Sequence, residues 1–337
     1  MLSIKENFLE TLKPNGHPDR LVNGFEFMKL IVPDPALRFT FTKTRIQPGA
    51  TEIDAWGVTW TWPVGQPGPI PLHTKDNLVI KDIGDWENQL VIPDLVSAHL
   101  DWNDVKTRAA EIDRNEYLVC GFLISGFFER LHMLMGFEEA LVNMMLEPEK
   151  VKNMFDAICE HRLIHVRMLV ENIRPDIIMS HDDWGTKTSL FMPPDVWRDI
   201  IKPQYKKLYG YLKKQGVLVM HHADSFLEQI VPDMVDVGID IWQGALPQND
   251  IVSLQKQLNG RMLLMGGVDA SIVDTSFATE DIIRAEVRRA CETYGPHGRF
   301  IPSLTYGEPG RGIFPNVDAI ISDEVSAHNR RAYGIDA

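Results

Sequence analysis

Cysteine is scarce in this chain: Cys120, Cys159 and Cys291 are the only three in 337 residues, an odd number without metal-type spacing. That excludes a disulfide framework and fits a reducing compartment. Positive charge is also short, with 34 basic against 47 acidic residues and a net charge of −13. Lys and Arg gather only in pieces as short as Lys206-Lys207 and Lys213-Lys214, so no nucleic-acid partner is expected. No apolar run approaches the roughly 20 residues that span a bilayer. The N-terminus mixes charges into its apolar residues and lacks a signal-peptide core. The expectation is a soluble, cytoplasmic protein without a membrane partner. A GxGxxG after an apolar run is absent too, which weighs against a dinucleotide-binding sheet.

What the chain does have is a repeated pattern. Short apolar runs at 117–124, 176–180, 217–220, 239–242, 262–265 and 299–302 alternate with helical spacing at 137–169, 194–215, 226–237, 251–258, 279–294 and 317–331. A short helix, Ile4–Leu12, and a first strand around 21–28 precede them. About seven βα units result, with an irregular eighth, and such a series predicts closure into a (β/α)8 barrel over a single domain, 1–337. An open doubly wound sheet is the competing architecture. Residues 31–105, rich in Pro, Gly and Trp, read as an insertion or cap over one end, with a hairpin strand around 54–62.

The catalytic rim of such a barrel collects whatever follows each strand. The run at 217–224, VLVMHHAD, ends abruptly on His221, His222 and Asp224. After the strand at 176 come His181, Asp182, Asp183 and Trp184; after 262, Asp269; after 299, Ser303, Thr305, Tyr306, Glu308 and Arg311. Each has a plainer reading. The carboxylates at 182 and 183 could cap a helix, a histidine at a strand end could be a bonded core residue, and Asp269 could tighten a turn. Glu308 and Arg311 could be a surface ion pair, and Cys120 reads as packed inside a strand. Strand neighbours point to opposite faces, so only one of His221 and His222 is expected to face the barrel axis.

Several motifs occur in a telling order: Trp56-Gly57-Val58, Pro93-Asp94, Asp182-Asp183-Trp184-Gly185, Pro194-Asp195-Val196-Trp197, Lys202-Pro203, His221 through Pro232-Asp233, and Gly266-Gly267-Val268-Asp269. Over roughly 20–330 the chain resembles the uroporphyrinogen decarboxylase superfamily. Within it, the chain is most similar to the corrinoid-dependent methyltransferase branch, in particular the methyltransferase component of O-demethylases. The family fold is a (β/α)8 barrel, in agreement with the independent count. True decarboxylases of the family carry an Arg-rich loop near the N-terminus that grips porphyrinogen carboxylates; residues 21–33, LVNGFEFMKLIVP, contain no arginine. Thiol-methylating members place a His-x-Cys pair and a further Cys around zinc. Here the His position is read as His221, Ala223 replaces the first Cys, and no Cys lies around 303–306. A zinc site would therefore need His221, Asp183 and Glu308 instead.

The resemblance then implies a donor-side methyltransferase of anaerobic metabolism. It would move a methyl group from a small methylated compound, preferably an aryl methyl ether, to the cob(I)alamin of a partner corrinoid protein. A phenolate, with a conjugate-acid pKa of about 10, leaves reluctantly, so a proton donor or Lewis acid is required. Candidates for that role are His181, Asp182, Asp183, His221 and Tyr306. Trp184, Phe191, Met192 and Phe314 would wall an aromatic ring or the corrin face, with His222, Asp224, Glu308 and Arg311 as further substrate contacts. A homodimer is expected by family analogy. The rival expectations are uroporphyrinogen-type decarboxylation and a non-catalytic small-molecule-binding barrel.

Overall fold

A computed structural model describes residues 1–42, 46–66, 68–307, 310 and 312–334. Ten strands form among them, in chain order β1 (Met28–Ile31), β2 (Thr51–Ile53), β3 (Thr59–Thr61), β4 (Ile70–Pro71), β5 (Leu118–Leu123), β6 (Ile177–His181), β7 (Leu218–His222), β8 (Ile241–Ala245), β9 (Leu263–Val268) and β10 (Phe300–Leu304). Seven of them make one parallel sheet in the order β1-β5-β6-β7-β8-β9-β10. Helices separate successive strands from β5 onward, so the sheet curls as a TIM-type barrel does.

Period-two alternation divides every strand between two environments. Leu118, Cys120 and Phe122 of β5, Ile177 and Met179 of β6, Met220 of β7, Ile241, Leu263, Met265 and Ile301 fill the barrel interior. Their neighbours Val119, Ile178, Val219, Trp242, Leu264 and Phe300 pack outward against the helices. Burial on both faces is what a sheet covered by helices requires. Cys120 belongs to the interior, and burial pushes its thiol up to about 12, so it is inert packing at neutral pH.

The barrel floor is closed by Ile4–Leu12, whose Ser3 and Glu6 form a capping box. From this helix Phe8 stacks on Phe27, ring centres 3.9 Å apart, and joins the interior cluster. The expected strand at 21–28 begins only at Met28. Its forerunner is held by side chains instead: Asn329, on the last helix Val317–Tyr333, accepts from Leu21 N–H at 3.0 Å and donates to its carbonyl at 2.9 Å. These bonds draw the two ends of the sheet together across a cleft of about 540 Å³ between β1 and β10.

The Trp-rich segment supplies the separate antiparallel sheet β2-β3-β4. Asp54 organises it, accepting Trp56 and Val58 N–H and the Trp60 indole N–H at 2.9–3.0 Å. Gly57 sits in that turn at φ +83°, a conformation that favours glycine. Ile70 and Pro71 complete the sheet by pairing with β3.

One element was not expected at all: the helix Phe127–Met135, directly after β5. The helical pattern read over 137–169 is also two helices, Phe137–Leu146 and Pro148–Ile173. Gly136, at φ +88° between two of these helices, breaks the first from the second.

Candidate active site at the barrel mouth

Strands β6 and β7 run further than their apolar residues do. Ser180 pairs with His221 and His181 with His222, so both histidine strands carry their rim residues in register. Parity then sorts them. His181 and His222 continue the inner rows of Met179 and Met220, with ring centres 4.3 Å apart. His221 continues the outer row.

His221 is completely buried. Its ring stacks on Trp184 at 4.1 Å and 22°, and the Tyr209 hydroxyl lies 2.7 Å from Nδ1. Nε2 lies 3.2 Å from the Asp182 carbonyl. A carbonyl only accepts, so Nε2 carries the proton and Nδ1 accepts from Tyr209. Burial pushes the ring pKa down to about 3, keeping it neutral. The residue therefore sits behind the mouth and locks β7 to the helix Lys202–Lys214, which carries Tyr209. Tyr209→Phe strands a buried acceptor and is expected to cost about 1–3 kcal/mol in urea unfolding.

Asp182 is also behind the mouth, fully buried. One oxygen accepts Glu129 N–H at 2.9 Å; the other takes Trp184 Nε1 at 2.8 Å, the Tyr205 hydroxyl at 2.7 Å and Phe128 N–H at 3.3 Å. It thus caps Phe127–Met135 from a neighbouring loop, the plainer of the two roles read for this carboxylate. Burial raises its pKa to about 6 despite these donors, with Glu129 adding to the rise. Gly126 makes the approach possible, because a Cβ there would lie 2.0 Å from the Asp182 side chain.

The mouth itself is built from His181, Asp183, His222, Asp224, Glu129 and Gln243. Nδ1 of His222 lies 2.5 Å from Gln243 Oε1, while the Gln243 amide donates to the Tyr306 carbonyl at 3.0 Å. That donation fixes Oε1 toward the ring, so Nδ1 holds the proton and Nε2 keeps its lone pair. Nε2 lies 3.8 Å from Asp183 Oδ1. Burial holds His222 well below its ordinary pKa. Nδ1 of His181 is 2.8 Å from Glu129 Oε1, close enough for an ion pair though not aligned as a hydrogen bond. Asp183 accepts Asp224 N–H at 3.1 Å. Burial pushes Asp183 up to about 8; His181 opposes the shift, and Asp224 and Glu129 add to it. Burial likewise raises Asp224 to about 6, against His181 and Lys187.

Among the described residues, His181, Asp183 and His222 form one group that could hold a metal ion, each with a ligand atom within 4.8 Å of the others'. The chemistry fits a zinc-like divalent cation: nitrogen and carboxylate donors, with the His222 lone pair directed by Gln243. Three ligands would leave a position for a substrate oxygen. The expected trio of His221, Asp183 and Glu308 is revised accordingly. His221 faces away from Asp183, and Glu308 lies outside the described residues. The inner face offers His222-x-Asp224, one residue further on than the His-x-Cys spacing was read.

The remaining expected residues scatter. Trp184 is core, packed on Trp197 and Tyr205, and so does not wall a ligand. Phe191 joins Phe128 and Phe137 in an aromatic group, and Met192 is buried. Phe314 N–H donates to Asp274 at 2.8 Å, and the Tyr306 hydroxyl, raised above its ordinary pKa by burial, also bonds Asp274. Tyr306 and Asp224 line a rim cavity of about 230 Å³ with Lys187 and Asp269. Asp269 caps the helix Ala270–Val273, a turn role as expected. Arg311 lies outside the described residues.

Sequence reasoning missed Glu129 and Gln243. The second was findable, since Gln243 stands two residues after Ile241 on an inner row. The first was hidden with its helix.

Among solved structures, a methyltransferase from Methanosarcina mazei matches 99% of this chain and 100% of its own, with a TM-score of 0.64 and 14% identity; that likeness shows the fold. An endo-β-1,4-xylanase from Gloeophyllum trabeum (TM-score 0.40, 12% identity, 68% of this chain and 81% of its own) is too distant to carry an argument. The same holds for a dihydropteroate synthase from Anaplasma phagocytophilum (0.37, 12%, 52% and 69%). No curated protein matches. No helix among the described residues is long and apolar enough to cross a membrane. The uroporphyrinogen decarboxylase (URO-D) profile matches residues 90–322, more than half of the sequence, and the chain belongs to that family.

Proposed function

We propose that this protein is a methyltransferase that takes the methyl group of a small methylated donor, preferably an aryl methyl ether, and delivers it to the cob(I)alamin of a corrinoid protein. The observation that carries this reading is the convergence of Asp183, His181 and the His222 lone pair at the barrel mouth, their ligand atoms within 4.8 Å of one another. In the reaction, cobalt(I) attacks the methyl carbon and the carbon–oxygen bond breaks with its electron pair going to oxygen. The phenolate so formed needs a proton, and the half-buried Asp183 carboxyl, its pKa raised to about 8, can supply it at neutral pH. Glu129 and Gln243 orient the two imidazoles. When bound by His181, Asp183 and His222, a divalent cation would act as a Lewis acid on the same oxygen. The methyltransferase fold neighbour supports the reading.

The test is an anaerobic incubation with cob(I)alamin and guaiacol, vanillate, methanol, methylamine or a methylthioether, followed by absorbance. Methylcobalamin is expected with the aryl ethers; none with any donor, even with a corrinoid protein supplied, would remove the proposal. In protein freed of divalent metal, the rate should be level below about pH 8 and fall above it. The sign follows from the acid role: the raised carboxyl is the active form, and it is lost as pH rises through its pKa. A rate that climbs across that range would assign Asp183 as a base.

The family description favours a second reading, decarboxylation. Product analysis with uroporphyrinogen tests it directly.

A further inference from the structure

The turn that follows β5 has a second side. Glu129 reaches the mouth, while its neighbour Arg130 points under the Trp-rich sheet into a cavity of about 20 Å³ lined by Phe41, Trp56, Arg130, His161, Arg162 and His165. Arg130 is 3% exposed, Arg162 6% and His161 8%. The Arg130 guanidinium lies 4.5 Å from the Trp56 ring centre, and His161 meets the same indole edge-on at 4.7 Å.

These groups have donors to spare. Arg130 uses Nη2 on the Ser125 hydroxyl at 2.8 Å, and Arg162 uses Nη2 on the Gly126 carbonyl at 3.3 Å. Nε and Nη1 of Arg130 and Nε of Arg162 are buried donors without a partner among the described residues, and His161, kept neutral by burial, adds one N–H with neither ring nitrogen bonded. The carboxylates nearby are committed elsewhere. Asp54 is 3.9 Å from Arg130 Nη1, but its oxygens already take three donors of its own hairpin. Asp34 takes Ala36 and Leu37 N–H and pairs with His165 at 3.0 Å. Arg130 thus meets one distant carboxylate and Arg162 has no ion-pair partner among the described residues, and unpaired buried charge costs several kcal/mol.

We propose that this cavity is a binding site for a small anion, a halide or the leading edge of a carboxylate, held by Arg130, Arg162 and His161. The size agrees: a single water needs roughly 10–15 Å³ by the same measure, so the space takes a group of that scale and no bulky oxyanion. The anion would come either from solution or from a carboxylate arm of an organic ligand. The site stands independently of the methyl-transfer reading.

The test is bromide. Crystals of the full chain soaked in sodium bromide should show an anomalous peak within hydrogen-bonding reach of Arg130 and His161, lost on competition with formate. Loss of the peak in vanillate as well would assign the anion to an organic ligand's carboxylate; its retention in vanillate would assign it to solution. No bromide at Arg130, or bromide that formate does not displace, would overturn the proposal. In solution, Arg162→Gln should weaken formate binding about tenfold or more, the loss of one charged hydrogen bond. Arg130→Gln should do the same, and the crystal result stands even if that variant does not fold.

Discussion

On the proposed function, replacing Asp183 with Asn is expected to lower methyl transfer from an aryl ether by about 10²–10⁴-fold, the usual worth of a positioned general acid. Asparagine keeps the shape and an oxygen for the Asp224 N–H, but it has no proton to give a departing phenolate. The fold should not suffer. A carboxyl whose pKa is raised in the folded protein takes stability away as pH climbs from about 4, where the unfolded group ionises, to about 8, where the folded one does. The amide has no charge to bury, so the variant should be at least as stable as the parent at pH 7. Single-turnover kinetics beside urea unfolding would separate the two effects. An undiminished rate would remove Asp183 from the chemistry.

Asp182→Ala should do the reverse and attack the fold. Four donors converge on this carboxylate from Phe128, Glu129, Trp184 and Tyr205, and alanine leaves all of them buried and unmet. Stranding such partners costs about 3–5 kcal/mol, a large share of the roughly 5–15 kcal/mol that holds a domain folded. The loss should show in the midpoint of urea unfolding. Activity should fall with it, because the helix that Asp182 caps delivers Glu129 to His181. A variant with unchanged stability would show that the cap carries no weight.

These neighbouring aspartates mark where sequence reading reaches its limit. The barrel was legible because continuous apolar runs such as β5, buried on both faces, alternate with amphipathic stretches such as Ile251–Leu258 that report one buried face. The rule that one of His221 and His222 faces the axis was legible too, and the inner row of Met220 decides for His222. Asp182 and Asp183 lie just beyond β6, where alternation stops, so nothing local assigns one to a helix cap and the other to the mouth. That choice depends on Gly126, 56 positions earlier. The Phe127–Met135 helix escaped notice because only three residues separate it from β5, so its apolar opening reads on from the strand's own run. With it went Glu129 and Arg130. The buried basic cavity draws on three helices and a hairpin, a conjunction that only tertiary packing creates.

The central claim, that the mouth transfers a methyl group, is tested most directly by following one carbon. The protein, cob(I)alamin and guaiacol labelled with ¹³C in its methoxyl group would be mixed anaerobically and read by NMR. The account predicts that the label moves to cobalt as catechol is released in equal amount, and that Asp183→Asn slows both together. A label that stays in guaiacol while the same preparation releases carbon dioxide from uroporphyrinogen would contradict it.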